Sequence, residues 1–283
     1  MQTVNRIQEL RELIKAQRLA GKRIGFVPTM GNLHEGHITL VREGQKHADV
    51  MVSSVFVNPT QFGPGEDFDK YPRTLKDDQE KLAAAGCNLL FAPPVDEMYP
   101  GDQASWAKVQ VTNVGDRHCG AARPGHFDGV STVVTKLFNI VRPDVALFGK
   151  KDFQQLAVIR RMTTALCFGI DIIGVDTVRE ASGLAMSSRN GYLSAEDKQR
   201  AALIYQTLCR MRDAIVGGKC DFAALEQAAT QTLSDAGFKP EYCTVCQADT
   251  LEPAAATDKN LVILLAARLG NTRLIDNVDF VVG

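Results

Sequence analysis

The stretch Ile24-Gly25-Phe26-Val27-Pro28-Thr29-Met30-Gly31-Asn32-Leu33-His34-Glu35-Gly36-His37 decides how the N-terminal part of this chain folds. Ile24, Phe26 and Val27 read as the end of a buried strand, and Pro28 is expected to stop its ladder. Gly31 and Gly36 let the backbone turn closely around a ligand. From Ile38 onward, with Leu40 and Val41 apolar, the pattern predicts a helix whose first N–H groups are open to phosphate oxygens. Strand, glycine-bracketed turn and helix in that order make the anatomy of a nucleotide site. Gly31 and Gly36 have the spacing of a P-loop, but His37 and Ile38 stand where Lys and Ser/Thr belong, so a P-loop is rejected. His34 and His37 are three apart with a glycine between them, and a metalloprotease helix needs its two histidines four apart, so zinc is not expected. On these residues alone, a pair of structural histidines in a turn stays open.

Outward from this stretch, strand and helix signals alternate. Asp49 to Val57 reads as a strand, followed by a loop rich in Pro and Gly. Thr74 to Ala85 reads as a polar-faced helix, Cys87 to Ala92 as a strand, Val130 to Val141 as a helix and Asp144 to Phe148 as a strand. Asp152 to Cys167 is again helical, with Leu156, Ile159 and Met162 on one face, and Ile170 to Val178 closes the series. This alternation predicts an α/β fold, a Rossmann-like parallel sheet whose ligands bind beyond the carboxyl ends of its strands. After about residue 180 the texture changes to a long helix from Ala195 to about Val216, Gly217-Gly218, a second helix around Phe222 to Ser234, and three strand-like runs, Glu241 to Cys246, Leu261 to Ala267 and Arg273 to Asp279. We therefore expect two domains, 1–178 Rossmann-like and 179–283 smaller and α+β.

Composition narrows the function classes. At 283 residues the chain can bury a sizeable core, and 45% apolar with 23% charged residues is ordinary for a globular protein. A net charge of −1 offers no field for gathering nucleic acid or acidic membrane, so neither is an expected partner. Runs such as Leu261 to Ala267 are too short to span a bilayer, and Met1 to Leu13 carries Glu9 and Glu12 in place of a signal-peptide core, so a cytoplasmic protein is expected. The seven cysteines follow no framework spacing and read as reduced thiols. Cys243-Thr-Val-Cys246 is the one C-x-x-C, without a second pair or a nearby histidine, so that of a metal or redox site and two small strand residues the latter reading is preferred.

Three further clusters follow strands. In Asn58-Pro59-Thr60-Gln61-Phe62-Gly63-Pro64, Gln61 can donate and accept at once, which suits a ligand carrying hydroxyl and carboxyl groups; taken alone it reads rather as a solvated loop amide. Gly149-Lys150-Lys151-Asp152, with Gln155 one turn on, lies at a helix N-terminus, where Asp152 could be an N-cap and the lysines a solvated pair. Met186-Ser187-Ser188-Arg189 has hydroxyls and a guanidinium suited to a polyphosphate, or is an ordinary loop.

PTMGNLHEGH at 28–37, FVNPTQFGPGEDFDKYPRT at 56–74, RPGHFDGVSTVVTKLF at 123–138, FGKKDFQQ at 148–155 and GLAMSSRN at 183–190 together resemble the pantoate–β-alanine ligase (pantothenate synthetase) family of the nucleotidyltransferase-like superfamily. The resemblance implies ATP-dependent condensation of (R)-pantoate with β-alanine through a pantoyl adenylate, releasing AMP and pyrophosphate. It implies that Met30, Gly31, Asn32, Leu33, His34, Glu35, Gly36 and His37 hold ATP, with His34 and His37 at the phosphates and His37 as proton donor. Lys151, also assigned to catalysis, would bind the departing phosphates with Ser187, Ser188 and Arg189, while Gly149, Lys150, Asp152, Val178 and Met186 complete the nucleotide contacts. Gln61 and Gln155 are the implied pantoate clamps, with Gln61 also at β-alanine. Magnesium would bridge the ATP phosphates with few protein ligands, and a homodimer through the first domain is implied. The rivals are an adenylyltransferase acting on a phosphate acceptor, which would keep AMP in its product, and a binding module that turns nothing over.

Overall fold

In the computed structural model, which describes residues 1–102 and 106–283, the chain divides into two compact units. The first comprises residues 1–116, 120–149 and 158–175. Along the chain its elements are β1 (Gln2–Val4), α1 (Ile7–Leu19), β2 (Ile24–Thr29), α2 (Glu35–Gly44), β3 (Val50–Val55), α3 (Leu75–Ala84), β4 (Leu89–Phe91) and α4 (Val95–Met98). Then come α5 (Cys119–Ala122), α6 (His126–Val141), β5 (Val145–Gly149), α7 (Phe153–Ala165) and β6 (Asp171–Val175), with Cys119 and the first turn of α7 belonging to the other unit.

The six strands form one sheet in the order β1-β4-β3-β2-β5-β6, and every pairing is parallel. Successive residues of its middle strands are buried: Ile24, Phe26, Val27, Val50, Met51, Val52, Val145, Ala146 and Leu147 are each 4% exposed or less. Burial without alternation means that both faces of the sheet are covered, as parallel sheets require. The chain runs from β2 through β3 to β4 on one side, then returns to lay β5 on the other side of β2. The strand order thus reverses at the carboxyl end of β2, which is where sheets of this kind bind ligands.

Pro28 does not end the strand. β2 continues to Thr29, with Pro28 opposite Ser54 and Thr29 opposite Val55, while its pairing with β5 involves only Gly25 and Phe26. A proline without an N–H is tolerated here because the ladder to β5 has already stopped. β1 and α1 had no clear signal: β1 has three residues, and of α1 only Leu10 and Ile14 are buried. The expected faces elsewhere are present, with Leu156, Ile159 and Met162 of α7 all buried.

The second unit comprises residues 117–119, 150–157 and 176–283. The long helix expected from 195 to 216 is two, α8 (Ala195–Ala201) and α9 (Leu203–Val216), meeting at Ala202, whose backbone stays in the right-handed region. After α10 (Phe222–Asp235), β7 (Lys239–Gln247), β8 (Asn260–Leu269) and β9 (Thr272–Val281) form an antiparallel sheet in that order. Leu208, Leu233, Ile263 and Leu265 lie in the apolar core of this unit. Cys243 and Cys246 point to opposite faces of β7, because three residues along a strand reverse the side. The Cys243 thiol packs on Met211 and the Cys246 thiol lies 3.5 Å from Nε2 of His118. Burial, more than the charge of Glu226, pushes both thiols up to about 12. Among the described residues no helix is long and apolar enough to cross a membrane.

Candidate active site

The turn after β2 is built around a buried carboxylate. Gly31 and Asn32 both have positive φ, +83° and +51°, and so present consecutive N–H groups to one side. Asp78, fully buried on α3, accepts from the Asn32 N–H at 2.9 Å and the Leu33 N–H at 2.7 Å, and from the Thr74 hydroxyl at 3.2 Å. Lys81, one turn further along α3, donates to the Leu33 carbonyl at 2.7 Å. A Cβ on Gly31 would lie 3.0 Å from both Asp78 Oδ2 and Val55 Cγ1, so this position combines positive φ with close approach. Sequence reasoning missed Asp78, reading 74–85 only as a polar-faced helix. The available signal was its place at a core position, in register with buried Leu82.

Helix α2 starts at Glu35, three residues earlier than its apolar pattern suggests, because His34 caps it. His34 Nδ1 accepts from the Gly36 N–H at 3.2 Å, and His37 Nδ1 accepts from the His34 N–H at 3.3 Å. The imidazoles therefore do what a Ser/Thr and Glu pair does in a capping box. This corrects the expectation of open N–H groups at the helix start, since the Gly36 N–H is taken by a ring nitrogen. It also fixes the tautomer: with both Nδ1 atoms accepting, each neutral ring carries its proton on Nε2 and is a donor there. The ring centroids are 4.1 Å apart. A Cβ on Gly36 would meet the His34 ring at 2.9 Å, so the close cap depends on glycine. Glu35 is turned toward an ion pair with Arg42.

Gln61 is not a solvated loop amide; it is 8% exposed and ends a single 3-10 turn, Pro59–Gln61. Its Oε1 accepts from Asn58 Nδ2 at 3.0 Å, and its Nε2 lies 3.1 Å from Met30 Sδ, which brings Gln61 to the loop after β2. Asn58, 1% exposed, also donates to the Gly129 carbonyl at 3.1 Å and accepts from the Tyr99 hydroxyl at 2.9 Å. The Gln61 carbonyl accepts from His126 Nδ1 at 2.8 Å, and because a carbonyl only accepts, His126 is protonated on Nδ1 and receives Arg123 Nη1 on Nε2 at 2.9 Å. Arg123 in turn grips both Glu66 oxygens at 2.6 Å. Asn58, Glu66, Arg123 and His126 were missed as individual residues, although they lie in the segments at 56–74 and 123–138.

Burial pushes Glu66 up, but hydrogen bonds and charge from Arg123 outweigh it, so the carboxyl is held below its ordinary value. A depressed value means that the anchoring of the 62–74 loop is fully present above the ordinary carboxylate range and is lost as pH falls through the lowered value. Limited proteolysis should find this loop protected at neutral pH in the native protein and cleaved in Glu66→Gln. Equal protection in both would remove the anchor.

In the second unit, Lys150–Asp152 forms a 3-10 turn directly after Gly149, the last residue of β5. Lys150 is not a solvated lysine: its Nζ is 2.8 Å from Asp176 and 2.9 Å from Asp279. Burial lowers its pKa, but these carboxylates more than offset it and the net shift is upward. Lys151 lies 3.9 Å from Asp152. Gln154 is buried, accepting from the Cys119 N–H and donating to the Arg117 carbonyl, while its neighbour Gln155 is half-buried. Val178 and Met186 meet through the Met186 N–H to Val178 carbonyl bond of 3.0 Å, with Arg179 bridged to Ala185. Ser187 Oγ accepts from the Arg189 N–H at 3.3 Å, and Asn190 closes the loop on Glu180 and the Ala185 carbonyl. Val178, Met186, Ser187, Ser188 and Arg189 thus belong to one folded loop. Among the described residues no three His, Cys, Asp or Glu side chains gather as a metal site.

Comparison with known proteins gives a consistent result over the whole chain. A family model described as Pantoate-beta-alanine ligase matches residues 2–279. A pantothenate synthetase of Pseudomonas putida (strain W619) is 58% identical over 278 residues, 98% of this chain and 97% of its own, and one of Marinobacter nauticus is 54% identical over 279 residues, 99% of each. Among solved structures, pantothenate synthetase from Thermus thermophilus aligns with a TM-score of 0.92 at 43% identity, covering 99% of both chains. Pantoate-beta-alanine ligase from Francisella tularensis, complexed with beta-gamma ATP and beta-alanine, aligns with a TM-score of 0.83 at 32% identity, covering 99% of this chain and 97% of its own.

Proposed function

The chain belongs to the pantoate–β-alanine ligase family and condenses pantoate with β-alanine using ATP, and we propose that it does so through a pantoyl adenylate formed on the residues described above. The observation that carries the proposal is the reciprocal imidazole cap at the carboxyl end of β2, which turns two Nε2 donors into fixed features of the helix start.

In the first step a pantoate carboxylate oxygen attacks the α-phosphorus of ATP and the bond to the β-bridging oxygen breaks, releasing pyrophosphate. His34 and His37 stabilise the charge that grows on the phosphoryl oxygens through hydrogen bonds donated from Nε2, the neutral rings keeping their protons. Lys151, Ser187, Ser188 and Arg189 take the departing phosphates. Met30 to Leu33, Glu35, Gly36, Gly149, Lys150, Asp152, Val178 and Met186 complete the nucleotide contacts, those of Lys150 through its backbone because its ammonium group is engaged by two carboxylates. In the second step the neutral amine of β-alanine attacks the acyl carbon, the amide bond forms, AMP leaves with the carboxylate oxygen, and the amine gives up a proton.

Gln61 and Gln155 orient pantoate, and Gln61 also lies at β-alanine. Magnesium bound together with ATP would supply neutralisation of the phosphate charge, beside that given by Lys151 and Arg189. The lid role of residues 179–283, a cytoplasmic location and a homodimer are part of the same proposal, and sedimentation showing only monomer would remove the last.

The decisive experiment follows label from pantoate carrying 18O in its carboxylate. One labelled oxygen in AMP, with AMP and pyrophosphate formed in step with pantothenate, is expected. Label in inorganic phosphate with ADP as co-product would replace the adenylate by an acyl phosphate. Retention of AMP in the product would favour an adenylyltransferase. Gln61→Ala is expected to weaken pantoate by about 1–3 kcal/mol, the value of a lost ligand hydrogen bond, with the KM for ATP unchanged. Equal losses for both substrates speak against the clamp.

A further inference from the structure

β9 buries two adjacent polar residues, Asp276 and Asn277, each 5% exposed, in a strand whose Leu274 and Val278 belong to the apolar core of the second unit. Burying an acid and an amide in such a place is unfavourable unless their hydrogen bonds are made. The partners they make are specific. Asn277 gives both protons of one amide nitrogen to neighbouring carbonyls, Lys150 at 2.9 Å and Lys151 at 2.8 Å. Asp276 receives the fork of Arg179, Nη1 at 2.6 Å and Nη2 at 2.9 Å. Arg179 lies with its guanidinium 3.5 Å from the centre of the Tyr205 ring and donates to the Gly183 carbonyl at 3.1 Å, so it fastens the loop that runs from Val178 to Arg189. A third tie, Lys150 to Asp279, engages the first lysine of the pair at the same strand.

We infer that Asp276 and Asn277 are positioning residues for the pyrophosphate end of the reaction: neighbouring positions of one strand hold the Lys150–Asp152 turn and the Val178–Arg189 loop, and so set where Lys151 and Ser187 to Arg189 stand relative to one another. The inference rests on the functional reading above, which gives those residues to the departing phosphates. Its physical basis is that a rigid strand is a better reference than either loop, and that two carbonyls held by one amide nitrogen leave the Lys150–Lys151 backbone little freedom to shift. Asn277 does not touch the reacting atoms in this account; it acts through Lys151.

The two half-reactions separate such a role from a merely structural one, because pyrophosphate takes part only in the first. Asn277→Ala is expected to slow pantoate-dependent exchange of pyrophosphate into ATP by roughly 10- to 100-fold, the usual loss when charged groups are displaced by an ångström or so. The same variant, given saturating preformed pantoyl adenylate and β-alanine, is expected to make pantothenate at close to the wild-type kcat, with any loosening of the nucleotide contacts appearing in the KM for the adenylate. Pyrophosphate binding measured by calorimetry should weaken by about tenfold, the equivalent of one positioned hydrogen bond to a charged group. Lys151→Ala and Asn277→Ala combined should lose no more exchange activity than Lys151→Ala alone. Asn277→Ser, which keeps one donor, should fall between wild type and Asn277→Ala, and it carries the comparison if the alanine variant does not fold. Unchanged exchange, or equal slowing of both half-reactions together with a lowered Tm, would overturn the inference. If the wild-type protein itself shows no pantoate-dependent exchange, the functional reading fails instead, and pyrophosphate binding by wild type and variant still decides whether β9 positions an anion site.

Discussion

His37→Ala is expected to lower kcat for pantothenate formation by an amount equivalent to roughly 2–4 kcal/mol, as for a lost donor to transition-state charge, with little change in the KM for pantoate. His34→Ala should show a loss of similar size plus a second effect, because its ring is also the N-cap of α2: the Gly36 N–H loses its acceptor and the fold loses about 1 kcal/mol. His34→Asn separates the two, since asparagine is a good cap but offers no imidazole. Stability should return in that variant and kcat should not. Because each ring is held by a hydrogen bond to the other's neighbourhood, the double alanine variant should fall short of the sum of the singles. Unchanged kcat in both single variants would sink the assignment.

Asp78→Ala is expected to be the most damaging substitution outside the set of ligand-binding residues. It removes the carboxylate that accepts from the buried Leu33 N–H and the half-buried Asn32 N–H, for which about 2–5 kcal/mol of stability is the expected loss, read from denaturant midpoints. The turn between β2 and α2 then has no reason to keep two consecutive residues at positive φ, so kcat should fall as well, although Asp78 is buried beneath the loop. Asp78→Asn keeps one acceptor oxygen and should be intermediate in both. A variant Asp78→Ala with native stability and native kcat would show that the turn holds itself.

The parallel sheet was legible because it is written in local patterns, and the family because five segments spread over the chain resemble it together. Apolar runs of strand length alternate with helical stripes, and the glycine and histidine spacing at 31–37 excluded the P-loop and the zinc helix. Less legible was everything that depends on a partner distant in sequence. Pro28 was read as a stop because proline lacks an N–H, and only the strand order tells that no neighbour needs that N–H. Asp78 looked like one more polar residue on α3, since nothing in residues 74–85 shows that Asn32 and Leu33 arrive opposite it. The pairing of Lys150 with Asp176 and Asp279, and of Asn277 with the 150–151 backbone, links residues more than a hundred positions apart in two of the three cases. β1 and α1 escaped for a different reason, as three strand residues and two buried helix positions carry too little periodicity to be read.

The strand order also dictates a schedule. Gln2 pairs beside Leu89, and Gly25 beside Val145, so on a ribosome the first strand has nothing to join until nearly ninety residues have been made, and β2 keeps one edge open until β5 arrives. Such distant closures fold slowly and leave strand edges exposed to other nascent chains in the meantime. An N-terminal fusion would therefore act on β1 during the interval when it is still unpaired, and a stop anywhere before β5 would release a fragment whose central strand is half-zipped.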